Sequence, residues 1–213
     1  MNPMTVAQLF ALLAKMALVE IPRLHDGSEK NQKYLDGMQN MTRIYLEVGA
    51  QGALISSDAD PLLLAAIGYE ESRHRPDVKD GDCHFIDPGP PHQACNSVGP
   101  MQLNTGTPRM LAEIDAKWQG YTTETLRNPQ TNVEAAYRML AYYKAACKGG
   151  PAIWLGAWSA GHCSQHPHAM GYRRCAMAKA LGDASGIAVE GCDMQHGMTP
   201  HIRSLVKALK KGN

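Results

Sequence analysis

The stretch from Asp60 to Pro76, Asp-Pro-Leu-Leu-Leu-Ala-Ala-Ile-Gly-Tyr-Glu-Glu-Ser-Arg-His-Arg-Pro, constrains this chain more than any other. Asp60 followed by Pro61 reads as an N-cap and first helical position. An Asp oxygen can accept an orphan amide hydrogen there, and proline has none to leave unpaired. The helix that starts here is expected to end at Pro76. At about 100° per residue, Ile67, Glu71 and Leu64 fall within about 100° of Leu63, with Ala66 and Glu70 on the near flank. Glu71 therefore sits inside the apolar stripe. A carboxylate turned toward a core resists ionisation, and the neighbouring charge of Glu70 acts in the same direction. Such an environment suits a general acid. The plainer alternative is a half-buried carboxylate neutralised by Arg73, Arg75 or a distant lysine.

The rest of the chain supplies a helical frame. Thr5 and Gln8 have capping-box spacing, and Val6, Leu9, Phe10, Leu13, Met16 and Ala17 recur at helical intervals, which predicts a helix from Val6 to Glu20. After the Asp26-Gly27-Ser28 turn, Tyr34, Met38, Met41, Tyr45 and Val48 mark a second long amphipathic helix ending at Gly49. These two helices form an N-terminal extension over residues 1–58. They either pack on the domain formed by residues 59–213 or present a Met-rich face to a partner. Proline and glycine density forbids regular structure from Asp77 to Asn96, where at most a short hairpin fits. Further helices are expected at Arg109 to Lys117, Gln130 to Cys147, Ile153 to Ala160 with a stop at Gly161, Pro167 to Leu181, and Pro200 to Lys211. No alternating strand pattern stands out, so the fold class is mainly α.

Composition excludes several functions. With 21 Lys+Arg against 20 Asp+Glu and a net charge of +1, no large field exists to steer nucleic acid or an anionic membrane. No apolar run reaches the roughly 18 residues of a membrane span. The N-terminal stretch lacks a basic n-region and a small-x-small cleavage site, so it makes a poor secretory signal. A chain of 213 residues buries roughly 70 % of its unfolded surface without needing covalent staples. Cys83, Cys95, Cys147, Cys163, Cys175 and Cys192 nevertheless make an even set. Sequential pairing, 83 with 95, 147 with 163 and 175 with 192, would staple three successive loops, and six reduced thiols are the alternative. Two groupings, Cys83-His84 with His92 and Cys95, and His162-Cys163-x-x-His166-x-His168, supply soft and imidazole donors. Neither contains a Cys-x-x-Cys knuckle, and no metal or other cofactor is expected.

Four motifs follow one another in order: Glu71-Ser72, Gly99-Pro100-Met101-Gln102, Asn128-Pro129-x-x-Asn132-Val133, and Ala157-Trp158-Ser159-Ala160-Gly161. Together they resemble the soluble-type (SLT) lytic transglycosylases, which carry Glu-Ser, Gly-Leu-Met-Gln, an Asn-Ile helix start and Ala-Tyr-Asn-Ala-Gly on a lysozyme-like helical fold. The resemblance covers Asp60 to Tyr172. It implies that Glu71 is the sole catalytic acid/base, and that Ser72, Gly99, Met101, Gln102, Asn132, Trp158 and Ser159 belong to the substrate site. The substrate implied is the peptidoglycan glycan strand, cleaved at the β-1,4 bond between N-acetylmuramic acid and N-acetylglucosamine to leave a 1,6-anhydro sugar. There are departures from the family pattern. Pro100 replaces leucine, Asn96-Ser97 replaces Gly-Ala, Trp158 replaces tyrosine and Ser159 replaces asparagine. Tryptophan donates a hydrogen bond but cannot accept one as a phenol does, so Tyr69, Tyr137 and Ser159 become candidates for orienting Glu71.

Two other activities remain open. A hydrolytic muramidase related to goose-type lysozyme would need Asp77, Asp80, Asp82 or Asp87 to position a water. A glycan-gripping or structural protein would keep the fold without turnover. Without an evident leader, the implied place of action, periplasm or cell wall, suggests a phage virion protein, an endolysin or a secretion-apparatus component.

Overall fold

A computed structural model describes residues 3–75, 97–104, 106–164 and 169–211. The Asp77 to Asn96 loop, with its aspartates, Cys83, His84, His92 and Cys95, lies outside the described residues, as do Pro76, His166, Pro167 and His168.

Local caps explain where four of the helices begin. Helix α1 (Val6–Glu20) opens on a complete capping box, Thr5 Oγ1 accepting from Gln8 N at 3.2 Å and Gln8 Oε1 from Thr5 N at 2.8 Å. Ser28 caps α2 (Glu29–Gly49), and Asn128 caps α5 (Pro129–Ala146). Helix α6 (Pro151–Ala160) starts on a proline and stops where Gly161 turns left-handed at φ 73°. Helix α7 (Ala169–Ser185) runs past the expected end at Leu181. Thr199 caps α8 (Pro200–Lys210), whose last turn carries Lys207 and Lys210. Helix α4 (Thr107–Ile114) is shorter than expected. Asp115 leaves helical geometry at φ −151° and its side chain caps a single 3-10 turn, Ala116–Trp118.

Helix α3 (Asp60–Ser72) is the central element, buried at every position from Asp60 to Tyr69 and packed between α2 and α7. Gly68 lets it approach α2, since a Cβ there would lie 1.9 Å from the Tyr45 hydroxyl. Two expectations about this helix require correction. Ala59 occupies the N-cap position, and Asp60, already helical, turns its carboxylate back to the preceding loop. It accepts from the amides of Leu54 (2.8 Å), Ile55 (2.6 Å) and Ser56 (3.2 Å) and from the Tyr137 hydroxyl (2.6 Å). The helix also stops at Ser72, four residues before Pro76, because Arg73 and His74 adopt φ of 57° and 62°. His74 N reaches back to Gly68 O at 3.2 Å, closing a Schellman-type cap without glycine. Contacts from α2 hold that cap: the Tyr34 hydroxyl donates to Arg73 O at 2.8 Å, and the Tyr45 hydroxyl meets His74 Nδ1 at 3.3 Å.

The N-terminal helices share one apolar core with the rest. Met16, Met38, Met41, Tyr45 and Val48 are buried with Leu63, Ile67, Leu140 and Leu181, so the methionine-rich faces point inward. Glu20, at the end of α1, accepts from the Tyr69 hydroxyl (2.9 Å), pairs with Arg73 Nε (2.9 Å), and lies 3.3 Å from His201 Nε2, tying α1 to α3 and α8.

A two-stranded antiparallel hairpin pairs β1 (Ser97–Val98) with β2 (Leu103–Asn104), in the register Ser97 with Asn104 and Val98 with Leu103. It lies immediately after the segment in which a hairpin was expected. Disulfides Cys147–Cys163 and Cys175–Cys192 follow the sequential pairing, which overturns the reduced-thiol alternative for those four cysteines. The first joins the end of α5 to the exit of α6, and the second joins α7 to the segment before α8. Among the described residues, no helix is long and apolar enough to cross a membrane.

Candidate active site

Glu71 lies in the last turn of α3, where that helix meets α6 and α7. A close crossing makes the meeting possible. A Cβ on Gly171 of α7 would fall 2.0 Å from Ala152 O and 2.7 Å from Gly156 N of α6. The helices can touch only because that side chain is absent, and the contact carries Arg174 to Glu71, with which it forms an ion pair and hydrogen bond. Arg174 is 1 % exposed. Its Nη1 donates to Leu155 O at 2.9 Å and to Ser159 Oγ at 2.8 Å. One guanidinium thus joins three helices at the Glu71 carboxylate. The Trp158 side chain lies close enough to the same carboxylate to lower its proton affinity.

Burial pushes the Glu71 proton affinity up, Arg174 pulls it down, Glu70 pushes it up again, and Trp158 opposes. Burial dominates, leaving the carboxyl above its ordinary range. The Glu71 side chain keeps 20 % of its surface exposed, so a substrate can reach it. Glu70 differs: its side chain is 2 % exposed and pairs with Arg173 at 2.8 Å. The partner of Glu71 is therefore Arg174, whereas Arg73 is engaged by Glu20. Arg174 carried no sequence signal. It follows Arg173 directly in α7, with nothing in the sequence to tell the two apart, and only the packing of α7 against α6 and α3 selects it.

The other motif residues fall into two groups. Trp158 and Ser159 sit beside Glu71. Gly99, Met101, Gln102 and Asn132 form a separate unit around the hairpin turn. Asn132 is wholly buried, donating to Val98 O (3.0 Å) and Leu126 O (2.8 Å) and accepting from Met101 N (2.7 Å). Gly99, at φ 70°, leaves no room for a side chain against that amide, because a Cβ would stand 2.3 Å from Asn132 Nδ2. Met101 is buried, and half-buried Gln102 folds its amide onto Gly99 O at 2.7 Å. Ser72 is buried and donates back to Gly68 O at 3.2 Å. Among the described residues, no hydrogen bond or ion pair joins the hairpin unit to Glu71.

Of the hydroxyls considered for orienting Glu71, Tyr69 donates to Glu20 and Tyr137 to Asp60. Ser159 alone connects to Glu71, through Arg174. The His162-Cys163 grouping loses its thiolate to the disulfide with Cys147, and no cluster of three metal-type side chains occurs among the described residues.

Fold and site together define a mainly helical protein in which burial makes one partly exposed carboxylate, Glu71, a stronger base. Residues 51–170, more than half of the chain, match the family model described as Transglycosylase SLT domain, and the chain belongs to that family. The family has a lysozyme-like helical fold, and its members are peptidoglycan lytic transglycosylases. No curated protein and no solved structure matches the chain.

Proposed function

We propose that this protein is a peptidoglycan lytic transglycosylase that cleaves the β-1,4 bond between N-acetylmuramic acid and N-acetylglucosamine, with Glu71 as its single acid/base. The observation that carries this reading is the contrast between Glu71 and Glu70. One is accessible with its proton affinity raised, while the other is sealed against Arg173.

Protonated Glu71 donates to the glycosidic oxygen as the bond to the muramic acid C1 breaks, and the leaving sugar departs as an alcohol. The N-acetyl group of the muramic acid residue supports the positive charge at C1 in place of a second carboxylate. Glu71, now ionised, takes the proton of the C6 hydroxyl as that oxygen attacks C1. The 1,6-anhydro ring forms, Glu71 is again protonated, and no water enters. Trp158 and Ser159 border the carboxylate and fit a role against the sugar. Gln102 fits the rim of the same cleft, while Ser72, Gly99, Met101 and Asn132 support the walls. The raised proton affinity extends the acid-competent form to higher pH than an ordinary glutamic acid allows. The fall of kcat/KM with rising pH should therefore lie above the usual carboxylate range.

A hydrolytic muramidase is the second reading, and it needs another carboxylate to position water. Glu70, the nearest in sequence, is buried and paired, so that reading would fall to Asp77, Asp80, Asp82 or Asp87. A glycan-binding or structural role is the third. The place of action is the periplasm or cell wall, reached as a virion component, an endolysin or part of a secretion apparatus. Docking through α1 and α2 would use their outer polar faces, because their apolar faces are in the core.

Mass spectrometry of fragments released from purified peptidoglycan by wild type and Glu71→Gln tests the reading. Muropeptides one water lighter than reducing-end products, absent with the variant, are expected. Reducing-end products would establish the muramidase, and wall binding without release would establish the non-catalytic role.

A further inference from the structure

We propose that Arg174 is the positioning residue for Glu71: it fixes the carboxylate in place and serves as the standing counter-charge for the ionised state between the two proton transfers. This inference rests on the acid/base role proposed for Glu71 and names what sustains it. The geometry is specific. Both terminal nitrogens of Arg174 are committed, one to Glu71 and the other to Leu155 O and Ser159 Oγ, so α6 orients the guanidinium that α7 supplies to α3. A buried guanidinium with three acceptors does not reorganise when Glu71 changes charge, and a fixed charge stabilises a developing anion most effectively when it is already in place.

The surrounding charges make the arrangement self-consistent. Glu70 and Glu71 on α3 face Arg173 and Arg174 on α7, and α6 brings no charged side chain. Tyr34 and Tyr45 of α2 act on Arg73 and His74, beyond the other side of the last turn. With Glu71 ionised the quartet is neutral, and with Glu71 protonated it carries a single excess positive charge, spread over two guanidiniums. An accessible Glu71 would lose both orientation and counter-charge if Arg174 were replaced. Its proton would then be held more tightly, and the acid half of the cycle, which leaves Glu71 ionised, would fail first.

The test reads Glu71 directly. Carbon-13 NMR titration of glutamate-labelled protein, with the Glu71 signal assigned by its absence in Glu71→Gln, gives the titration midpoint without reference to activity. In Arg174→Met the midpoint should move to higher pH, kcat on peptidoglycan should fall on the order of 100-fold with KM little changed, and the alkaline fall of activity should move upward. Arg174→Lys keeps the buried charge but cannot serve three acceptors with the same fork, so it should hold the midpoint near wild type while lowering kcat. An unchanged midpoint in both variants would overturn the proposal. If Arg174→Met does not fold, wild-type kcat in Arg174→Lys overturns it instead. A shifted midpoint in a protein that releases no anhydro fragments would uphold the coupling of Arg174 to Glu71 and overturn the transglycosylase reading.

Discussion

The two ends of α3 each carry a carboxylate that is drawn into the protein, and they behave in opposite ways. Asp60 is completely buried, and four donors, three amides and one phenol, converge on its oxygens. Glu71 meets one guanidinium and an indole and keeps a fifth of its side chain open. Burial is common to both, so burial alone does not make a reactive group. A carboxylate whose lone pairs are all occupied is an anchor, while one with a single strong partner and an open side can exchange a proton with a ligand.

That comparison can be broken at either end. The largest effect is expected for Glu71→Gln, which should lower release of anhydro fragments by roughly 100- to 10,000-fold. Its melting temperature should move little, because the amide still faces Arg174. Asp60→Ala should do the reverse. Four donors lose their acceptor, so urea denaturation should show a loss of about 3 kcal/mol or more, while each molecule that remains folded keeps its activity. If Asp60→Ala abolished turnover without loss of stability, the distinction between anchor and reactive group would fail.

The turn that follows Glu71 gives an intermediate test. His74 is fully buried, and burial followed by the charge of Arg73 depresses its pKa to about 3 from 6.5. The unfolded chain therefore binds a proton that the folded chain excludes between those values, so stability is complete above about pH 6.5 and declines as pH falls toward 3. The decline should reach several kcal/mol at most, and His74→Phe should flatten this part of the stability–pH curve measured by denaturant titration. The smallest effect is expected for Ser72→Ala. This replacement removes only a back-bond to Gly68 O and should change both stability and kcat by less than about 0.5 kcal/mol in equivalent free energy. A large loss of glycan affinity in that variant would place Ser72 against the sugar and revise the outline of the cleft.

Much of the frame and part of the site were legible in the chain before folding. The ordered motifs located Glu71, and the helical register placed it on an apolar face. They did not distinguish residues that touch a ligand from those that hold the wall. Asn132 belongs to a motif, yet all its hydrogen-bonding atoms named above are spent on Val98, Leu126 and Met101. Asp60 showed the reverse problem: its position before a proline suggested a helix cap, but three loop amides and Tyr137 offered more donors than the helix did.

The sequence by itself determined where most helices start and what lies on their apolar faces. Thr5, Ser28, Asn128 and Thr199 find their amide partners within three residues, so the information for a cap is local. Only the tertiary structure decided which charge faces Glu71, why α3 ends at Ser72, and where Asp60 points. Arg174 lies 103 positions from Glu71, Tyr137 lies 77 from Asp60, and Tyr34 lies 39 from Arg73. Such pairings are chosen by which helices pack together, and packing depends on the fit of whole faces, such as the bare backbone at Gly171 against α6.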